Sequence, residues 1–208
     1  MCVKNRTRLS APRPRGGRRS MPRTEALLAD FPKTWHLEGG TKVTVRPMGR
    51  EDRAKVAAFF QSLPEGDLRA LKDNVRDPWI IDQWVQQLNY DRVLPLLAEV
   101  DGRVIADASL HRRREGWRRH LGGVRVAVDP AYRQKGLASL LIDELIDIAT
   151  REGLERLYAE IPGENAAAIE TFRKRGFEEV ARFERNLIDL AGTYHDLVVL
   201  HLDLAPLH

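Results

Sequence analysis

Residues 126–138, in the second half of the chain, combine residue types suited to binding a diphosphate. They read V-A-V-D-P-A-Y-R-Q-K-G-L-A, which predicts a strand, a proline-containing turn, a loop and the start of a helix. Gly136 and Ala138 are small enough to let the backbone approach a ligand. The first turn of a helix offers N–H groups and the positive end of its dipole, and Arg133 and Lys135 add charge there. The segment therefore predicts a site for a diphosphate.

Other common phosphate and metal patterns are absent from the sequence. It contains no G-x-x-x-x-G-K-[ST], and no G-x-G-x-x-G follows a predicted strand. The six histidines lack metal-ligand spacing, and the single cysteine is Cys2. A nucleoside triphosphatase, a Rossmann dehydrogenase and a metal centre are therefore disfavoured.

The segment resembles the first signature of the GNAT acyltransferase superfamily, V-x-P-x-x-[RQ]-x-x-G-x-[GA]. Its defined positions are matched by Val128, Pro130, Arg133, Gly136 and Ala138. The family's second signature, N-x-x-A-x-x-x-[YF]-x-x-x-G-F, is matched downstream by Asn165, Ala168, Phe172, Gly176 and Phe177. The resemblance implies the GNAT fold, an α/β (α+β) fold with helices on both faces of a mixed sheet. That sheet is expected to have about seven mostly antiparallel, twisted strands and to splay apart at the cofactor slot.

The resemblance also implies acetyl-CoA (coenzyme A) as co-substrate, without a metal. The backbone of residues 126–128 would pair with the pantetheine arm, amides of residues 133–139 would hold the diphosphate, and Asn165 would hydrogen-bond pantetheine near the thiol. An N–H of Ala127 or Val128 would polarise the thioester carbonyl, as an oxyanion hole does. The residues so assigned to the cofactor are Val126, Ala127, Val128, Arg133, Gln134, Lys135, Gly136, Leu137, Ala138, Ser139, Asn165 and Phe172.

For the catalytic groups, the sequence departs from the family's usual pattern at two positions. Phe172 stands where many relatives have the tyrosine that protonates the leaving thiolate, and Gly122 stands where many have the glutamate base. We assign the proton acceptor to Glu160 and thiolate protonation to Tyr158. The alternatives are Glu99, His120 or a water-mediated base for the first role, and water or unassisted thiolate departure for the second.

The motifs do not specify the acceptor. The resemblance implies direct attack of a primary amine on the thioester in a ternary complex, so that no protein nucleophile is needed. A protein lysine and a small-molecule amine, such as an amino acid, a polyamine or an aminoglycoside, are both allowed. The departures at Gly122 and Phe172 leave a non-catalytic acyl-CoA sensor open as a second function. A homodimer is compatible with either function.

The sequence pattern predicts the elements that hold these groups, in the order β-α-α-β-β-β-α-β-α-β-β. Asp101-Gly102, between apolar runs, predicts a two-residue hairpin. An amphipathic helix is predicted over residues 137–152, closed by Gly153. Residues 24–35 are expected to be a short amphipathic lead-in to the first strand at 42–46.

A further helix is predicted to begin at Asp77-Pro78, with Asp77 as N-cap, and to run to about residue 88. In relatives, the first two helices border the acceptor site. The resemblance therefore makes Trp79, Trp84 and Tyr90 candidates to line that site.

Positive charge is concentrated at the start of the chain. Eight of the 34 basic residues lie in residues 1–23, which contain no acidic residue, whereas the remainder has an acidic excess. We interpret 1–23 as a disordered basic tail, or as an extension upstream of a start at Met21, and 24–208 as one N-acyltransferase domain. A nucleic-acid partner is therefore disfavoured for the domain, although the tail leaves one open.

Neither a membrane nor export is expected from the sequence. No apolar run approaches the roughly 18 residues of a membrane helix, and no apolar segment follows the basic tail as in a signal peptide. With one cysteine there is no intrachain disulfide. We therefore expect a cytoplasmic protein.

Overall fold

A computed structural model describes residues 27–69, 71–189 and 191–204, so the predicted basic tail lies outside the described residues. The strands are β1 (Lys33–His36), β2 (Lys42–Pro47), β3 (Val93–Val100), β4 (Arg103–Arg112), β5 (Leu121–Val128), β6 (Arg156–Pro162), β7 (Glu178–Ile188) and β8 (Tyr194–Asp203). The helices are α1 (Arg53–Ser62), α2 (Glu65–Arg69), α3 (Pro78–Gln86), α4 (Leu137–Arg151) and α5 (Ala166–Arg173), with 3-10 turns at Arg50–Asp52 and Pro130–Tyr132. None of the described helices is long and apolar enough to cross a bilayer.

The described strands form one sheet in the order β1-β2-β3-β4-β5-β6-β8-β7. Neighbouring strands are antiparallel, except for the parallel pair β5 and β6. The predicted fold class, a mostly antiparallel sheet in a mixed α/β fold, is confirmed.

The edge strand β1 adds an eighth strand that the sequence did not reveal. It lies in the segment expected to be a lead-in and pairs with β2 from Lys33↔Val45 to His36↔Lys42. Gly40 closes the intervening turn, with φ 83° and its N–H donating to the Leu37 carbonyl at 2.9 Å. Four residues are too few for alternation to distinguish a strand from other structure.

Turn and capping residues in the sequence correctly located the β3–β4 turn, the start of α3 and the end of α4. Asp101 and Gly102 have φ of 50° and 77°, as in a primed turn, and join β3 to β4. The Asp77 side chain accepts a hydrogen bond from the Trp79 N–H at 2.9 Å at the start of α3. Gly153, with φ 77°, follows the end of α4.

Helices cover both faces of the sheet. On one face α4 and α5 bury side chains such as Leu141 and Ile169, and on the other α1 and α3 bury side chains such as Phe59 and Ile81. Because side chains alternate along a strand, β5 contributes Val124 to the first core and Ala127 to the second. The two sides of β5 can therefore serve different ligands.

Candidate active site

The strands β5 and β6 separate after a short paired stretch. They pair only over the first three residues of β5, Leu121 to Gly123. Both strands run on past these pairs, β5 to Val128 and β6 to Pro162, and a cavity of about 830 Å³ lies between them and the helices. This is the splay that the resemblance implied.

Gly123 lies at the point where the two strands part, and Tyr158 packs against it. A Cβ atom at Gly123 would lie 2.8 Å from the Tyr158 hydroxyl oxygen, so a larger residue there would require the Tyr158 ring to move. The Arg118 guanidinium also lies near the ring, 5.3 Å from its centroid. Tyr158 therefore lines a small pocket of about 20 Å³ at the closed end of the splay, shared with Lys72 and Glu160, and does not line the main cavity.

The N-terminus of α4 opens onto the main cavity, as the sequence predicted. Gly136 precedes the helix in the left-handed conformation, with φ 81° and ψ −8°, and Gln134 has φ 57°. The first amide bonded within this turn is that of Leu140, which donates to the Gly136 carbonyl at 3.1 Å. The earlier amides have no acceptor within the helix and can bind an anion. Of the twelve residues assigned to the cofactor, all but Lys135 line the cavity.

The two cations of the predicted diphosphate site differ in position. Lys135 donates to the Ala131 carbonyl at 2.8 Å and lies 5.2 Å from the Tyr132 ring centroid, outside the lining of the cavity. Arg133 lines the cavity and forms a 2.6 Å ion pair with Asp67. An anionic ligand at this end would compete with Asp67 for the Arg133 guanidinium.

Asn165 and Phe172, from the second signature, both line the cavity. Asn165 is the N-cap of α5, and its side-chain oxygen accepts from the Ala168 N–H at 3.1 Å. Its NH₂ group is the donor that remains for a ligand. Phe172 is buried and packs edge-to-face on Phe177, with ring centroids 5.0 Å apart.

Among the sequence candidates for a base, only Glu160 lines the cavity, where it forms an ion pair with Lys72. Glu99 lies outside the lining and is held by Arg46 at 2.7 Å and Lys55 at 2.9 Å. Burial tends to raise the pKa of Glu99, but these hydrogen bonds outweigh it and hold the pKa below its usual value. His120 also lies outside the lining.

Sequence reasoning missed a row of polar side chains on β4. Asp107, Ser109 and His111 lie in register with Ala127, Arg125 and Gly123 of β5, and all three line the cavity. Ser109 Oγ and His111 Nε2 are 3.0 Å apart. The sequence contains a signal for this row. Every second residue from 107 to 111 is polar, whereas the neighbouring residues Ala106, Ala108 and Leu110 are apolar, as in a strand with one polar face.

Burial shifts the proton affinities of this part of the cavity. It raises the pKa of Asp107 to about 7, against an opposing effect of the Arg125 charge. It lowers the pKa of His111 to about 3, helped by Arg125 and Lys72, so the imidazole is neutral at pH 7. It also lowers the pKa of Lys72 to about 8, with Arg125 adding to the effect.

Of the aromatic residues proposed for the acceptor side, the structure brings only Trp84 to the cavity, together with Phe60. Trp79 is 60% exposed and does not line it. Tyr90 does not line it either, although its hydroxyl donates at 2.7 Å to the carbonyl of Met48, which does. Helical spacing alone could not tell these positions apart.

A family model described as Acetyltransferase (GNAT) family matches residues 58–177. Over 80 residues the chain is 34% identical to the ribosomal protein bS18-alanine N-acetyltransferase of Salmonella typhimurium, covering 38% of this chain and 53% of that protein. Over 84 residues it is 29% identical to the L-amino acid N-acetyltransferase AaaT of Escherichia coli, covering 40% and 52%. These alignments span about half the length of the two curated relatives.

A solved structure extends the similarity over most of the fold. The yncA protein of Salmonella typhimurium, solved with its cofactor acetyl-CoA, superposes with a TM-score of 0.68 at 26% identity, covering 80% of this chain and 96% of that chain. Within the residues that the structure describes, no group of three or more His, Cys, Asp or Glu side chains is arranged to hold a metal ion.

Proposed function

The chain belongs to the Acetyltransferase (GNAT) family, and from this premise we propose that it transfers the acetyl group of acetyl-CoA to a primary amine by direct attack. The observation that carries the proposal is the cavity between β5 and β6. Helix α4 points its N-terminus into this cavity from one side, and polar side chains of β4 and β6 face it from the other. A phosphate-bearing donor and an amine can therefore meet there from opposite sides.

The cavity has the features that coenzyme A requires. Beyond Gly123 the edge of β5 that faces β6 is unpaired, so its backbone can bind an extended amide-bearing arm as an added strand would. The α4 amides and Arg133 suit the diphosphate, and the Asn165 NH₂ group suits the arm nearer the thiol. When bound, acetyl-CoA supplies an acetyl group activated as a thioester. An N–H of Ala127 or Val128 would polarise its carbonyl.

Glu160 is the proposed proton acceptor for the nitrogen during attack, and Tyr158 the proposed donor to the departing sulfur. Both lie on the same face of β6, and Lys72 lies beside both of them. The Lys72 ammonium forms an ion pair with the Glu160 carboxylate and lines the small pocket beside Tyr158.

Replacing Glu160 by glutamine is expected to lower kcat about 100-fold at pH 7, because the amide cannot accept the proton. Affinity for acetyl-CoA, measured by calorimetry, is expected to stay unchanged. Glu155→Gln is the matched control, since Glu155 is exposed and directly precedes the same strand. A Glu160→Gln enzyme with the wild-type kcat would remove Glu160 from this role.

The acceptor is proposed to be a small-molecule amine or an amine on a protein. The similar proteins are named for alanine of a ribosomal protein and for L-amino acids, and both are primary amines. A panel of n-butylamine, L-amino acids, polyamines and peptides with lysine or amino-terminal alanine tests this, with release of free thiol from acetyl-CoA as the readout. Thiol release that depends on one class of amine supports transfer. Binding of acetyl-CoA without release on any amine would favour the non-catalytic sensor.

A further inference from the structure

Four carboxylates line the described part of the cavity, and three of them are ion-paired. Asp67 holds Arg133 at 2.6 Å, Asp73 holds Arg125 at 3.3 Å, and Glu160 holds Lys72. Asp107 is the fourth, and no described residue donates a hydrogen bond to it or pairs with it. The described part of the cavity therefore presents one carboxylate that no protein cation holds in an ion pair.

The neighbours of Asp107 explain why the ionised form of its carboxyl group is unfavourable in the free protein. It lies between Leu97 of β3 and Ala127 of β5 in the sheet register, and Leu97 is fully buried. Phe60 and Trp84 line the same side of the cavity from α1 and α3. A carboxylate in such surroundings favours its neutral form unless a cation approaches, as the raised pKa of about 7 reflects.

The other titratable groups facing this space come from several elements. Arg125 faces it from β5, Glu160 from β6, His111 from β4, Arg92 from the segment after α3, and Lys72 and Asp73 from the segment after α2. Of these, the Arg125 charge acts on Asp107, in the direction that favours ionisation. His111 is neutral at pH 7, so it does not supply the missing cation.

We propose that Asp107 binds the incoming acceptor as its ammonium ion and takes up its first proton. This rests on the proposed function and adds a catalytic residue to it. An aliphatic amine arrives mostly as R–NH₃⁺ at neutral pH, and only R–NH₂ has the lone pair needed for attack. Ionised Asp107 attracts the ammonium and accepts one proton, giving a neutral carboxylic acid and a neutral amine. Asp107 thereby shares with Glu160 the task of the strand glutamate that is absent at Gly122.

The proton balance assigns separate tasks to the two sides of the cavity. The first proton passes from nitrogen to Asp107 and then to solvent. As the C–N bond forms and the C–S bond breaks, the second proton leaves nitrogen toward Glu160, and one proton reaches the sulfur. The sum is R–NH₃⁺ plus acetyl-CoA giving the N-acetyl product, CoA–SH and one proton. Asp107 therefore governs the protonation state of the acceptor before attack.

Kinetics with Asp107→Asn in the full chain test the proposal, using the best acceptor of the amine panel. Wild-type kcat/KM is expected to rise with pH through a midpoint near 7. In Asp107→Asn this rise with pH is expected to disappear, and kcat/KM at pH 7 is expected to fall about 100-fold. The affinity for acetyl-CoA is expected to stay unchanged. Asp101→Asn is the matched control, the same change on an exposed turn where asparagine tolerates φ 50°. An Asp107→Asn enzyme that keeps the wild-type rise of kcat/KM with pH and the wild-type kcat/KM at pH 7 would overturn the proposal.

A second readout needs no turnover. In protein with ¹³C-labelled aspartate, the Asp107 carboxyl resonance is identified by its loss in Asp107→Asn and followed as pH changes. Its pKa is expected near 7, and to fall when n-butylammonium chloride is added but not when n-butanol is added. If the pKa of Asp107 does not change when n-butylammonium chloride is added, the proposal is overturned, even if turnover is normal. Failure of acetyl-CoA to bind, with this titration intact, would instead contradict the proposed function.

Discussion

Replacing Gly136 by aspartate is expected to abolish acetyl-CoA binding. Gly136 precedes α4 with φ 81°, and a Cβ placed on it meets no atom within 4 Å, so a side chain there would project into open space at the helix N-terminus. A carboxylate in that space opposes the charge of a diphosphate. At about 5 Å and an effective dielectric constant of 20, two unit charges repel by about 3 kcal/mol, which is more than 100-fold in affinity.

Gly136→Asn separates this charge effect from strain in the backbone. Asparagine has nearly the same shape as aspartate and, like aspartate, adopts the left-handed conformation more readily than other residues with a side chain. Calorimetry is expected to find acetyl-CoA binding to Gly136→Asn within about tenfold of wild type. Equal loss in both variants would mean that the helix N-terminus does not hold the diphosphate.

The part of the cavity proposed for the cofactor could be located from the sequence because it is local in the chain. Residues 126–138 form strand, loop and helix in one continuous run, and the amides that line the cavity lie within a few residues of Gly136. Glycine at positive φ and small residues after it leave a visible pattern. The position of the Lys135 side chain leaves no such pattern, because it depends on contacts with Ala131 and Tyr132.

The part of the cavity proposed for the acceptor is assembled from segments far apart in the sequence. Lys72 meets Glu160 across 88 positions, and Asp73 meets Arg125 across 52. The segment that carries Lys72 and Asp73 has no helical or strand periodicity, so nothing local places it over the sheet. The polar alternation that contains Asp107 is visible in the sequence, but the sequence could not show that no described residue pairs with this carboxylate in the cavity.

The assignment of Tyr158 also depends on a feature that the sequence does not show, namely the residue at which β5 and β6 separate. Strand alternation puts Tyr158 and Glu160 on one face of β6. The sequence does not say at which residue the strands part, and they part just after the pair of Gly123 with Tyr158. The role proposed for Tyr158 therefore requires that the sulfur reach the closed end of the splay.

The largest expected effect on stability concerns the buried ion pair of Arg112 with Glu152. Arg112 ends β4 and is 7% exposed, and Glu152 follows α4 and is 2% exposed. Their Nε and Oε2 atoms are 2.7 Å apart, and Arg112 Nη2 donates to Glu152 Oε1 at 2.9 Å and also to the Tyr90 carbonyl. Arg112→Met leaves a buried carboxylate without this cation, so unfolding by denaturant is expected to show a loss of about 3–5 kcal/mol.

Arg112→Met/Glu152→Leu removes both charges and is expected to lie within about 2 kcal/mol of wild type, since neither partner is then left uncompensated. Arg151→Met is the matched surface control, because Arg151 pairs with Asp30 at 2.9 Å where both side chains are well exposed, and its loss is expected to stay below about 1 kcal/mol. A double variant as unstable as the single one would mean that the pair matters for packing and not for charge. The pair lies at the opposite end of α4 from Gly136, so the folded fraction of every variant should bind acetyl-CoA as the wild type does.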